Sequence, residues 1–186
     1  MTEGIDVGTI AAQIHEFYRD MARLEGWFPD YPMPFPELPE HMREDNRDAA
    51  RRIGRVLALA GLRLVGCVGR RWTEKERTEI SQLIEQNIDL LAEGEHHGWM
   101  ESRFRHGWRL GDHKDVDQRQ HHLLAPYSRF LEQIERNQEY ERGRGRTPKL
   151  IPGETVEKEK YKDRNSVRNY VRIIAQTQYC IAREER

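Results

Sequence analysis

The chain has 186 residues, enough for one domain or for two small halves that share a core. Charged residues make up 34% and apolar residues 37%, and the four Trp and seven Tyr need burial, which excludes a disordered chain. A net charge of −1 excludes a protein that coats nucleic acid through a basic excess, so no nucleic acid polymer is expected as a partner.

Thr2, Glu3 and Asp6 break any leader-peptide reading of the start. No run approaches the roughly 20 apolar residues of a membrane span, so no membrane partner is expected. Two cysteines, Cys67 and Cys180, argue against a disulfide framework and read as two buried thiols in a reducing cytoplasm.

In chain order, Ile10, Ile14, Phe17, Met21 and Leu24 recur at helical spacing and predict a helix over 8–25, stopped by Gly26. Five prolines hold residues 29–39 extended or turned. A second helix follows over 41–60 on Ala50, Ile53, Leu57 and Ala60, then a short strand over 62–65. Thr73 and Glu76 have capping-box spacing and open a helix that can run to residue 105, with a break near Gly94. Gly107 stops that helix. Residues 107–127 read as turn and loop, 128–140 as a short helix, 141–153 as an exposed loop, 154–177 as helix, and 178–182 as a strand matching 62–65.

One pattern occurs twice. His15-Glu-Phe-Tyr18 and His96-His-Gly-Trp99 are each followed, after seven residues, by Gly-Trp: Gly26-Trp27 and Gly107-Trp108. A second pattern follows each copy, Asn46-Arg47-Asp-Ala-Ala-Arg51 and Asp163-Arg164-Asn-Ser-Val-Arg168. The two halves, 1–70 and 71–186, therefore read as two copies of one plan that together make a compact domain. Phe35 to Asn46 spans 11 residues and Tyr127 to Asp163 spans 36, so the second half carries an insertion of about 25 residues at about 128–158. Halves built on one plan tend to pack as a pseudo-twofold pair, and a cleft between them would present Tyr18 and Trp99 to a flat ligand such as a nucleobase. The bland alternative places His15, Tyr18, His96 and Trp99 in the core at i, i+3 spacing. Trp27 and Trp108, just after helix-stopping glycines, read as core anchors.

A nucleotide also needs cations for its phosphates. Arg103 lies one helical turn after Trp99, and Arg109, Lys114 and Arg119 lie in the following loop; Arg19 and Arg23 are candidates from the first half. Six of the eight histidines lie between 96 and 122, but their spacing matches no compact metal-ligand set. No nucleophile elbow, Walker loop or dinucleotide fingerprint occurs, so no catalytic residue, cofactor or metal is expected.

Glu95-His-His-Gly-Trp99, Gly107-Trp108-Arg109-Leu110-Gly111, Lys114-Asp115-x-Asp117, Arg119-x-His121 and Asp163-Arg164-x-x-Val167-Arg168 together resemble the RyR domain, the repeat module of ryanodine receptors that also occurs in bacterial and phage proteins. The first half resembles the shorter partner repeat of some prokaryotic members. Leu110 stands where the family has an aromatic, His122 where it has Pro, and the insertion is atypical. The resemblance implies a mainly α-helical fold of two pseudo-twofold-related repeats, each a helix pair with a short β-strand. It also implies a non-enzymatic binder that stacks the adenine of a nucleotide-derived messenger on the positions held here by Tyr18 and Trp99. His15, His96, Arg103, Arg109, Lys114 and Arg119 complete the expected ligand site. With no output domain in view, the expected role is a sensor, or a phage sponge that sequesters an immune signal in the prokaryotic cytoplasm. The alternative is a protein–protein interaction module that uses the Arg-rich insertion. Assembly into a homo-oligomer stays open.

Overall fold

The structure, a computed structural model, describes residues 4–184; Thr2 and Glu3, read above against a leader, lie outside the described residues. The chain is mainly helical with short strands, and no helix among the described residues is long and apolar enough to cross a membrane. It divides into two compact units, one formed by residues up to Leu91 together with those from Val167 onward, the other by Ala92–Ser166.

In the first unit, helix α1 (Val7–Glu25) starts where the Asp6 carboxylate accepts the Thr9 N–H, 3.2 Å away, and ends at Gly26. Gly26 takes φ 73°, which a residue without Cβ adopts at no steric cost, and its N–H bonds the Ala22 carbonyl at 2.9 Å. Helix α2 (Glu40–Ala58) packs on α1, burying Ala50, Ile53, Val56 and Leu57 against Ile10 and Ala11. Strand β1 (Leu62–Gly66) pairs antiparallel with β4 (Tyr179–Arg183), from Leu62↔Arg183 to Gly66↔Tyr179. Helix α3 (Glu74–Gln86) opens with the capping box of Thr73 and Glu76, and α7 (Tyr170–Ile174) adds Tyr170, Val171 and Ile174 to the same core. Each aliphatic side chain sealed there contributes about 1.5–3 kcal/mol relative to exposure.

The second unit is built from most of α4 (Ile88–Arg105), a loop carrying β2 (Arg109–Leu110) and β3 (Gln120–His121), a 3-10 turn (Tyr127–Arg129), α5 (Phe130–Gly143) and most of α6 (Pro152–Arg168). Leu124, Ala125, Phe130 and Ile134 are buried in it, together with the polar Glu95, His96, Ser102, Gln133 and Gln138.

Five local expectations are corrected. The helix break lies at Asn87, not Gly94, because the Asn87 side chain donates to the Leu83 carbonyl at 2.8 Å and holds a non-helical backbone. Helix α5 runs on to Gly143, and α6 begins at Pro152, a residue suited to a first helical turn, so the loop between them is shorter than 141–153. Residues 107–127, read from the sequence as turn and loop, hold a short parallel pair of β2 and β3. Cys67 and Cys180 are not separate thiols: the β1–β4 ladder continues through the Cys67 N–H to the Gln178 carbonyl at 2.8 Å, and the two cysteines, 113 residues apart, form a disulfide. Trp27 and Trp108 are not core anchors; Trp27 is 38% exposed and Trp108 half-buried, since the left-handed glycine before each turns the chain outward. The core tryptophan is Trp72.

Candidate functional site

In the first unit the buried His15 donates from Nε2 to the Met33 carbonyl at 2.7 Å; a carbonyl only accepts, so the proton sits on Nε2. Met33 precedes Pro34, which starts the 3-10 turn Phe35–Glu37. One helical turn beyond His15, the half-buried Tyr18 packs edge-on against Trp27, ring centres 5.1 Å apart, and its hydroxyl accepts the Asp30 N–H at 3.2 Å. Arg19 pairs with Glu16 and Arg23 with Asp20 on the same helix, so neither presents an unopposed charge.

In the second unit His96, also buried, donates from Nε2 to the Ala125 carbonyl at 2.9 Å, and Ala125 precedes Pro126, which starts the turn Tyr127–Arg129. The other ring nitrogen, Nδ1, stands 3.3 Å from Asp163 Oδ2, and the Tyr127 hydroxyl donates to that same oxygen at 2.8 Å. Burial, with the Asp163 charge beside it, pushes the Tyr127 phenol well above its usual range and keeps it a donor. His96 thereby ties α4 to the turn and to α6 of its own unit.

Trp99, one turn beyond His96, is half-buried. Its ring lies 5.4 Å from that of His96, tilted by 36°, and 5.3 Å from that of His121 at 81°. His121 in turn stacks on His122, centres 5.0 Å apart and 13° between planes. Burial foremost, then the positive charges of His122, Lys114, Arg103 and Lys162, lowers His121 to a pKa of about 3. Trp99, Arg103 and Lys114 are therefore grouped around His121. The Arg103 guanidinium also lies over Trp108, 5.2 Å from the ring centre.

Arg109 and Arg119 are engaged elsewhere in the loop. Arg109 is exposed on β2, its N–H bonded to the Arg119 carbonyl at 2.8 Å. Arg119, at φ 49°, sends Nη1 back to the His106 carbonyl at 2.9 Å and clasps the loop to the end of α4. His15 and Tyr18 belong to the first unit. Arg47 bonds Glu40 and Glu44 of its own helix.

Three residues of this cluster, His121, His122 and Lys162, were not candidate ligand residues in the sequence. His121 stood out there as part of the RyR-like motif and His122 as a departure from it, both within a histidine-rich stretch weighed for metal binding, and no cluster able to hold a metal occurs among the described residues. Lys162 comes from α6, and no motif marks it. The insertion also reaches the loop: Tyr140 of α5 stacks flat on His113, centres 4.1 Å apart and 2° between planes.

Among known families, the model of the RyR domain matches residues 73–146. The chain thus contains a RyR domain over that span, which takes in His96, Trp99 and the loop to His122 and stops before Lys162 and Asp163. No curated protein matches the chain.

Proposed function

We propose that this protein binds a nucleotide-derived small molecule, adenine-containing, with the base stacked on Trp99, and that it does so as a binder rather than as an enzyme. The observation that carries this reading is a half-buried indole set beside His121, on which the charges of Arg103, Lys114 and Lys162 converge. An aromatic face beside a group on which several cations act suits a base joined to phosphate, and such stacking contributes about 1–3 kcal/mol per base. His15 and His96, both buried and bonded to backbone carbonyls, serve as supports for the aromatic one turn on.

The same reading takes the two units as copies of one plan. In each, a His donates from Nε2 to the carbonyl before a proline, that proline starts a 3-10 turn, and a left-handed glycine precedes Trp. Tyr18 is then the first unit's counterpart of Trp99.

The test is a thermal-shift panel of ATP, ADP-ribose and cyclic mono-, di- and trinucleotides. At a hundredfold excess over Kd a ligand specific for the folded state adds about 2.7 kcal/mol and a clear rise in Tm. A selective hit that disappears in Trp99→Ala, with the circular dichroism spectrum retained, supports the reading; Tyr18→Ala tests the first unit's ring independently. A panel with no hit sinks it. A second reading, a protein-interaction module, is favoured by Leu24 and Phe28, which are 75% and 98% exposed at the end of α1. Nucleotide binding unaffected by Phe28→Ser and abolished by Trp99→Ala decides against it.

A further inference from the structure

Two features of the loop that carries β3 are left over once the base has been placed on Trp99. The Leu123 N–H donates to His121 Nδ1 at 3.1 Å, so that nitrogen holds a lone pair and the neutral ring carries its proton on Nε2. Among the described residues Nε2 has no hydrogen-bond partner. Next to it, His122 Nδ1 is buried without any partner, a state that native proteins keep rare.

The loop is held where it is by several constraints. His121 is paired to Leu110 in the β2–β3 ladder, and Asp115 bridges to Gln120. His113 is pinned under Tyr140. The orientation of His121 is thus set by the fold, with an N–H donor directed away from its own backbone. Burial and the surrounding positive charges keep the ring neutral, so the donor persists at neutral pH. The side chains of Lys114 and Lys162 are both exposed, and Lys162 is held by Glu159 at 2.6 Å. A neutral N–H donor among several cations fits an anion with more than one oxygen and one or more full charges, which is the chemistry of a phosphodiester or a pyrophosphate.

We infer that His121 Nε2, with Lys114, Lys162 and Arg103, forms an oxyanion subsite beside Trp99 that takes the phosphodiester or pyrophosphate of the ligand. This rests on the base reading above and deepens it. His121 is the group that fixes where the phosphorus sits relative to the indole, and the lysines supply the charge. The ligand class is thereby narrowed to molecules whose phosphate lies next to the stacked base, rather than free bases or uncharged nucleosides.

The experiment uses the full chain labelled with nitrogen-15 at histidine and at the tryptophan indoles, followed by NMR. Long-range proton–nitrogen spectra of the free protein are expected to show His121 as the Nε2–H tautomer. Inorganic pyrophosphate is expected to shift the His121 ring signals, and Lys114→Ala and Lys162→Ala are each expected to weaken that titration about tenfold, the loss of one charge-assisted contact. Adenosine, in a parallel titration, is expected to shift the Trp99 indole and leave His121 nearly unmoved. Pyrophosphate that leaves the His121 ring signals in place, or shifts them equally in the lysine variants, overturns the subsite. If that happens while adenosine still shifts Trp99, the base reading stands alone; if adenosine is silent while pyrophosphate acts, the base reading falls and an anion site remains. Both lysines are exposed, so loss of folding does not confuse the result, and circular dichroism verifies it.

Discussion

His96 spends both ring nitrogens within the protein, one on the Ala125 carbonyl and one facing Asp163, at 3% exposure. Replacing it with Ala would leave a buried carbonyl and the Tyr127–Asp163 pair without their partner. His96→Ala is therefore expected to cost about 1–3 kcal/mol in urea denaturation, and His15→Ala, with one such bond, less. His121 gives a pH signature. Its folded pKa lies near 3, against an ordinary value of 6.5. Below 6.5 the unfolded chain takes up a proton that the folded chain refuses. Stability present above pH 6.5 is thus lost as pH falls toward 3. In His121→Asn that contribution vanishes, so the slope of stability against pH over this window should be smaller than in wild type by up to about 1.4 kcal/mol per pH unit. Equal slopes would mean that the ring is not held neutral. Carboxylates such as Glu85, lowered by the hydrogen bonds and charge of Arg168, titrate in both proteins and cancel in the comparison.

Among the elements, two glycines with nearly the same backbone separate conformational from steric cost. Gly26 has φ 73° and open space where a Cβ would go; Gly107 has φ 78°, and there a Cβ would lie 3.2 Å from the Arg119 guanidinium. Gly26→Ala should cost about 1–2 kcal/mol from the left-handed conformation alone. Gly107→Ala should cost more, because Arg119 must release the His106 carbonyl, and thermal denaturation of the two variants side by side measures the excess. Helices α1 and α2 were readable because their apolar residues recur at helical spacing over roughly three to four turns, and both helix-stopping glycines were readable from position. The capping box of Thr73 was readable from two residues. The break at Asn87 was not, because a side chain bonding its own helix leaves no trace in the apolar spacing. The parallel β2–β3 pair was not either: two-residue strands have no period to detect, and their pairing depends on a loop clasp through Arg119. The candidate site divides in the same way. His96, Trp99 and Arg103 were found because they share one helix, whereas Lys162 approaches His121 from α6, far along the chain.

For the molecule as a whole, the cysteines illustrate a limit of counting. Two cysteines in 186 residues argue for separate thiols, yet the register of β1 on β4 brings them together, with Cα atoms 5.8 Å apart. Closing so long a loop restricts the unfolded chain and is worth about 2–4 kcal/mol. A reducing agent is accordingly expected to lower the Tm of the wild-type protein and to leave that of a Cys67→Ala, Cys180→Ala variant unchanged; equal responses would show that the bond carries no stability.

The first unit takes its closing strand and the buried Tyr170, Val171 and Ile174 from residues beyond 166, while everything in the second unit lies between 92 and 166. On the ribosome this fixes an order of events. The whole segment bearing Trp99, His121 and Lys162 is joined to the chain before β4 is, so helices α1 to α3 emerge first and complete their core last. During translation those helices are therefore the part of the protein that waits longest for its closing strand.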